Sequence, residues 1–146
     1  MLAACGGSDN ETQVVSGNGF TFEAPADWPL VRTPKAIGAQ GDEVELVQVT
    51  RLPLARPYTP ALFKRVVPEL DAAANAVAKE VGAKVEPRTV DVLGERVRQY
   101  DLSFEGKVEQ LTFFLRGKAN YQLLCRRAAD GDEGPCKTLV ESFRLA

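Results

Sequence analysis

The feature that most constrains the fold is a run of alternating residues at positions 84–127. Apolar side chains recur there at every second position, as in Tyr100, Leu102 and Phe104, and polar or charged residues lie between them. This period places the apolar side chains on one face of an extended strand. Turn sequences that contain glycine interrupt the run at residues 93–95, 105–107 and 117–118. The pattern predicts an antiparallel meander of four strands with one covered face.

Shorter strands are predicted ahead of this run. Phe20 and Phe22 are two positions apart, so they share one face of a short strand. A second short strand is expected at residues 28–32. The stretch at residues 38–43 contains two glycines and predicts a turn, and the β-branched residues of 44–52 predict a longer strand.

The helical part of the chain lies between these strands and the alternating run. Thr59 followed by Pro60 is a typical helix start. Pro68 interrupts the segment, because proline lacks the N–H group that a helix interior needs. We therefore expect a short helix at residues 60–66 and a longer one at residues 68–81.

Helical spacing of apolar residues predicts which helix faces are buried. The longer helix is expected to bury Leu70, Ala73 or Ala74, Val77 and Val81, and Gly82 follows it as a C-cap. A last helix is predicted at residues 135–143. Its apolar side consists of Cys136, Leu139, Val140 and Phe143.

Two of the three cysteines, Cys125 and Cys136, are close in sequence, with turn-forming residues between them. Cys125 shares a strand face with Tyr121 and Leu123, so a disulfide would attach the last helix to the covered face of the sheet. An exported protein permits such a bond, and we favour it. The alternatives are two free buried thiols and a metal-binding pair, although two cysteines without histidine make a poor zinc site.

The third cysteine, Cys5, follows the residues Leu2-Ala3-Ala4. An apolar residue, two small residues and a cysteine form the pattern of a bacterial lipobox, in which the thiol receives lipid. An accidental cysteine in a polar tail is the alternative. A complete signal peptide also has a basic region and a longer apolar region. We therefore expect that the sequence begins inside the signal, and that several acyl chains on Cys5 anchor the mature protein stably.

The domain organisation is simple. A chain of 146 residues is long enough for one domain with its own core. Residues 1–18 are polar and without an apolar period, and are interpreted as the lipobox remnant and a flexible tether. The globular domain is expected at residues 19–146.

Composition argues against several classes of function. The net charge of −2 is not typical of a nucleic-acid-binding protein. The chain contains no histidine, which removes the usual general base, the usual zinc ligand and the Ser-His-Asp site. We therefore predict no catalytic residue, no metal site and no cofactor. Carboxylates at residues 42–45 and 130–133 are interpreted as turn residues.

The candidate binding residues are basic or aromatic. Arg116, Lys118, Arg126 and Arg127 are expected on the last hairpin. There they would form a positive patch for anionic lipid head groups or for an acidic partner. A solvated strand face is the alternative reading. Trp28, which lies near two prolines, is either an exposed binding aromatic or a core anchor.

The order of these features resembles a known family. A Phe-x-Phe-x-x-Pro-x-x-Trp motif at residues 20–28 precedes a strand, a helical segment and the meander, and the chain closes on Ser142 and Phe143. This order is similar to the PsbP/Mog1-like fold and, within it, to the LpqN-type lipoproteins of actinobacteria. The resemblance covers residues 19–145. It implies an α+β fold, in which an antiparallel meander and packed helices form an α/β/α sandwich.

The same resemblance implies a binding function, since PsbP acts on photosystem II and Mog1 acts on a small GTPase. Our first hypothesis is a non-enzymatic, lipid-anchored binding or accessory module on the outer face of the cell membrane, with an unknown envelope protein as partner. The alternative is a carrier or sensor of a lipid or small molecule. That function needs a cavity of roughly several hundred Å³. We expect the helices of so short a chain to fill the covered face, and a large cavity would reverse this preference.

Overall fold

Two antiparallel sheets and two helices form the part of the chain that the structure, a computed structural model, describes (residues 11–146). The smaller sheet consists of β1 (Thr12–Ser16), β2 (Phe20–Pro25) and β9 (Arg144–Leu145). The larger sheet consists of β3 (Leu30–Arg32), β4 (Ala36–Gln40), β5 (Leu46–Tyr58), β6 (Lys84–Val92), β7 (Glu95–Phe104) and β8 (Lys107–Ala128). Its order in space is β3-β4-β5-β8-β7-β6. The helices are α1 (Phe63–Val81), preceded by a 3-10 turn at Pro60–Leu62, and α2 (Gly134–Ser142).

The larger sheet is covered on both faces, and not on one face as the alternating pattern predicted. On one side Ala74 of α1 belongs to the same core cluster as Tyr100 of β7. On the other side α2 and the smaller sheet pack around Phe114 and Phe143. All residues at 111–115 in the centre of β8 are buried, because both of their faces meet a packed layer. The predicted α+β fold, a sheet with helices packed on it, is confirmed.

The hairpin predicted at residues 117–118 is wrong, because β8 runs through this point as one strand. The strand pairs with β7 through residues 107–113 and with β5 mainly through residues 119–126. Between the two halves Gly117 adopts a φ of 57°, and the register with β5 shifts. The chain therefore bends at a bulge. The bulge also exchanges the two faces, since Phe113 packs with the α1 cluster and Tyr121 with the α2 cluster.

The turn predicted at residues 38–43 is wrong in its first part, because Gly38 lies inside β4. A Cβ atom at Gly38 would lie 2.2 Å from the carbonyl oxygen of Val47 in β5, so the close approach of the two strands requires glycine here. The turn itself follows. There the Asp42 carboxylate accepts hydrogen bonds from two backbone N–H groups, and these bonds, led by that from Glu45, lower the pKa of Asp42.

The helix α1 is continuous, and not divided at Pro68 as predicted. Proline removes one backbone hydrogen bond from the helix. Contacts on the C-terminal side of this position, made by Asp71 and Ala74 with β7, hold the helix on the sheet. Thr59 is the N-cap of the 3-10 turn, with Pro60 in its first position, but the Thr59 hydroxyl makes no capping hydrogen bond.

The buried face of α1 differs from the predicted stripe. Leu70, Ala74 and Ala78 face the sheet with a spacing of four residues. Val77 and Val81 are 40% and 42% exposed. Because alanine side chains are small, the helix approaches the sheet closely when the face with the two alanines is turned inward. The predicted C-cap, Gly82, adopts the left-handed conformation with a φ of 71°.

The folded domain begins before residue 19, so the tether prediction is wrong for residues 12–16. These residues form β1, which pairs with β2 and buries Val15 in the core. Val14, on the opposite face of this edge strand, is 66% exposed. A strand that buries one large side chain shows no apolar period, and this is why the sequence did not reveal it. Cys5 and the lipobox lie outside the described residues.

The predicted disulfide is confirmed. Cys125 of β8 and Cys136 of α2 are bonded, with their Cα atoms 5.4 Å apart. Both residues are buried in the core cluster that also contains Leu139 and Phe143. The bond therefore attaches α2 to the sheet face that the residue spacing indicated.

Candidate functional site

A bulge near the end of β5 opens a groove between the sheet and α1. Pro53 pairs with Ala119 and Tyr58 pairs with Gly117, so that four residues of β5 lie opposite one residue of β8. The strand contains two prolines in this stretch, and a proline has no N–H group to donate to the ladder. Residues 54–57 therefore leave the sheet and form a wall. Bulges of this kind commonly lie next to functional sites.

This α1/β5 groove has a volume of about 510 Å³. The bulge forms one wall, the 3-10 turn and the first turns of α1 form the other, and β8 forms the floor. The lining side chains are Leu54, Ala55, Arg56, Pro57, Tyr58, Leu62, Arg65, Val66, Glu69, Leu70, Leu115 and Asn120. Most of them are apolar, and the volume is typical of a small-molecule site.

Asn120 places a polar atom at the floor of the groove. Its Oδ1 atom is buried, and no donor within residues 11–146 lies at hydrogen-bond distance from it. A buried acceptor without a donor costs about 1–3 kcal/mol. Because this oxygen is shielded from solvent, a donor in the groove would reach it only if the lining moved.

Three charged side chains border the apolar lining. Arg56 lies in the bulge, and Arg65 and Glu69 lie on α1. All three are exposed, and none forms an ion pair within residues 11–146. The rim therefore carries a net positive charge. Burial raises the pKa of the Tyr58 hydroxyl, and nearby Glu95 raises it further, so Tyr58 remains a neutral hydrogen-bonding group.

The helical wall of the groove is fixed in place by Asp71. Its carboxylate accepts hydrogen bonds from Nε and Nη2 of Arg98 at 3.2 and 3.0 Å, and also from the hydroxyl of Tyr100. Asp71 directly follows Leu70, which lines the groove. These contacts therefore set the position of α1 over β7. Burial raises the pKa of Tyr100 to about 12, and the hydrogen bond to Asp71 acts in the same direction.

We expect Tyr100→Phe to lower the free energy of unfolding by about 1.5 kcal/mol at pH 7, because Asp71 loses a donor. The pKa of Tyr100 is raised on folding from 10.0 to about 12, so the hydroxyl contributes stability that is complete below pH 10 and is lost as the pH rises toward 12. Urea unfolding of both proteins between pH 7 and pH 11 measures this. The stability gap should narrow above pH 10, and a gap that is constant with pH would contradict the assignment.

The four basic residues proposed from the sequence do not form one patch. Arg116 and Arg126 lie on β8 ten positions apart, which is about 33 Å along an extended strand. Arg116 pairs with Glu95 at 2.7 Å. Arg126 donates to the backbone carbonyl of Val44 at 2.8 Å. Both guanidinium groups are therefore engaged in contacts within the fold.

The other two basic residues are also apart from the groove lining. Arg127 donates to the backbone carbonyls of Ala128 and Ala129 at 3.2 and 3.1 Å. Lys118 is exposed at the bend of β8. Neither side chain lines the α1/β5 groove.

Trp28 is half-buried and packs against the core, next to a second cleft of about 250 Å³. A Cβ atom at Gly41 would lie 2.6 Å from the indole, so the Gly41 backbone covers one part of the ring. The carboxylates that line this cleft are those of Glu11, Asp27, Glu45 and Asp132. Burial raises the pKa of Glu45, and the neighbouring aspartates raise it further. The structure therefore places Trp28 in an acidic cleft whose lining shares no residue with the α1/β5 groove.

Within residues 11–146, no group of three or more cysteine, aspartate or glutamate side chains is arranged to hold a metal ion. No helix in the described part of the chain has the length and apolar character needed to cross a membrane.

Arg56, Arg65 and Asn120 were not predicted as site residues. The sequence did contain one signal for them, since two prolines interrupt the end of the strand around Arg56. The pairing of β5 with β8 is not visible in the sequence, and this pairing brings Asn120 under the bulge.

Comparisons with known proteins extend the fold assignment. No protein-family model matches the sequence, and no curated protein matches it. The solution structure of cyanobacterial PsbP (CyanoP) from Synechocystis sp. PCC 6803 is similar, with a TM-score of 0.65, 13% sequence identity and 92% of each chain covered. A crystal structure from Bacteroides thetaiotaomicron VPI-5482 has a TM-score of 0.54 and 10% identity over 93% of this chain. The present chain spans 48% of the length of that protein.

At these identities the similarity concerns the fold alone. The chain therefore has a PsbP-like α+β fold, as the resemblance in the sequence implied.

Proposed function

We propose that this protein is a non-enzymatic, extracytoplasmic binding module that holds a small amphiphilic molecule in the α1/β5 groove. The observation that carries the proposal is the groove itself, with its volume of about 510 Å³ and its mainly apolar lining. A cavity of this size favours the carrier or sensor over the purely accessory module.

The groove also has the polar features of a binding site. Tyr58 offers a hydroxyl at the wall, and Asn120 places an amide at the floor, whose buried oxygen has no hydrogen-bond partner among residues 11–146. Ligand sites commonly combine an apolar lining with a few polar groups of this kind, which orient the bound molecule.

The proposed location is the outer face of the cell membrane, with the protein anchored through lipid on Cys5. The lipobox pattern at Leu2–Cys5 supports this location. The disulfide between Cys125 and Cys136 also supports it, since disulfides persist in oxidising compartments. Membership of the LpqN-type lipoproteins is part of the same proposal. Contact with an unknown envelope protein is the alternative function.

Native mass spectrometry of the protein, extracted in mild detergent from its own membranes, tests the proposal. We expect acyl chains on Cys5 and a retained small molecule. In Val66→Trp the larger side chain fills the groove, so the retained molecule should be lost. Val77→Trp is the matched control, because Val77 lies on the same helix, is 40% exposed and is not among the lining residues.

The other outcomes are equally informative. An unmodified Cys5 would overturn the anchor. An empty groove together with a co-purifying protein would favour the accessory module. Thermal melts of both variants show whether Val66→Trp is folded. If it is not, Ala55→Trp, at an exposed position of the bulge wall, replaces it.

A further inference from the structure

We infer that the α1/β5 groove selects single-chain amphiphiles with an anionic head group, a carboxylate or a phosphate, through Arg56 and Arg65. This inference deepens the proposed function and rests on it. It concerns the charge of the ligand, which neither the fold nor the volume of the groove determines.

The two arginines lie on opposite walls of the groove. Arg56 belongs to the bulge wall and Arg65 to the helical wall, so the groove has an arginine on each side. An arginine side chain presents a planar set of N–H donors that matches the oxygen atoms of a carboxylate or phosphate. Two such groups around one apolar groove are complementary to an anionic head with an alkyl chain.

Both arginines lack an acidic partner among residues 11–146. Arg98 and Arg116, by contrast, pair with Asp71 and Glu95 at 3.0 and 2.7 Å. Neither Arg56 nor Arg65 has a carboxylate within ion-pair distance among residues 11–146. Their donors are therefore available to a ligand.

One acidic residue in the groove lining opposes the charge of the two arginines. Glu69 also lines the groove, one helical turn after Arg65, and reduces the net charge of the lining to +1. Its carboxylate repels an anion, so its removal should strengthen anion binding. A cationic ligand would respond in the opposite direction, and this difference in sign distinguishes the two classes of ligand.

The test is isothermal titration calorimetry of the full chain with four ligands of equal chain length. These are laurate, dodecyl phosphate, dodecyl glucoside and dodecyltrimethylammonium, each below its micelle concentration. We expect the two anions to bind about tenfold more tightly than the glucoside, and the cation to bind most weakly. The preference should decrease as salt is added.

Variants assign the preference to the two arginines. Arg56→Gln/Arg65→Gln should remove the difference between the anions and the glucoside, and Glu69→Gln should increase it. The matched control is Arg32→Gln/Lys79→Gln, which changes the net charge equally at exposed positions outside the groove and should retain the preference.

The possible results distinguish the inference about anionic ligands from the proposed binding function. Equal binding of all four ligands would overturn the anion inference while leaving a binding groove. Binding of none would overturn the proposed function itself. Tight binding of only one anion would support the inference and identify which head group, the carboxylate or the phosphate, is preferred.

Discussion

Replacing Phe143 with alanine is expected to lower the free energy of unfolding by about 3–5 kcal/mol. The side chain is completely buried, and its ring centroid lies 5.5 Å from that of Phe114 and 5.6 Å from that of Tyr121. Phe20 of the smaller sheet is also in this group, at 6.1 Å. Phe143, at the end of α2, therefore contacts both the smaller sheet and β8. Alanine at this position would leave a cavity where the three elements meet.

Urea unfolding measures this loss, and Leu30→Ala is the control. Leu30 is 47% exposed, so the control should change stability by about 0.5 kcal/mol or less. A loss below about 2 kcal/mol for Phe143→Ala would mean that the neighbouring rings collapse into the space. The position of α2 on the sheet would then rest mainly on other contacts.

Removing the Cys125–Cys136 disulfide is expected to lower the free energy of unfolding by about 3 kcal/mol. The bond closes a loop with a sequence separation of 11 residues. In the chain-entropy account, such a loop restricts the unfolded chain more than the folded one. Unfolding curves of the wild type with and without a reductant, and of Cys125→Ala/Cys136→Ala, measure the effect.

Two controls distinguish the effect of the disulfide bond on stability from the effect of replacing the cysteine side chains. A reductant should not change the stability of the double alanine variant, because no disulfide remains. Cys5→Ser retains both bonded cysteines and should unfold like the wild type. If reduction of the wild type costs less than about 1 kcal/mol, the packing of Leu139 and Phe143 is sufficient to hold α2.

The groove connects these stability arguments with the proposed function. The wall formed by α1 depends on Asp71 and its two partners in β7, whereas the disulfide acts on the opposite face of the sheet. Loss of the disulfide is therefore expected to lower stability without changing the shape of the groove. Tyr100→Phe removes a contact next to the groove, so it is expected to change both the stability of the protein and the shape of the groove.

Local sequence rules predicted many of the elements well. The alternation around Tyr100 and Leu102 predicted β7, and the spacing of Cys136, Leu139 and Phe143 predicted the buried face of α2. These predictions succeeded because the residues that an element packs against one layer recur at the period of the strand or the helix. The disulfide followed from placing two such faces together.

Other elements were wrong because a distant part of the chain determines them. Gly117 resembles a turn residue, yet pairing with Tyr58 makes it the bend of one long strand. Gly38 also resembles a turn residue, yet close contact with β5 requires it inside a strand. Pro68 disfavours a helix locally, and the contacts of Asp71 and Ala74 with β7 outweigh it.

The sequence by itself therefore determined the class of the fold and the lack of histidine, and it favoured the disulfide, because composition and short-range periods carry this information. Only the tertiary structure decided where the α1/β5 groove lies. The α1/β5 groove exists because four residues of β5 lie opposite one residue of β8, and such a register depends on the packing of strands that are far apart in sequence. The same register brings Arg56 and Asn120, which no local pattern connects, to one groove.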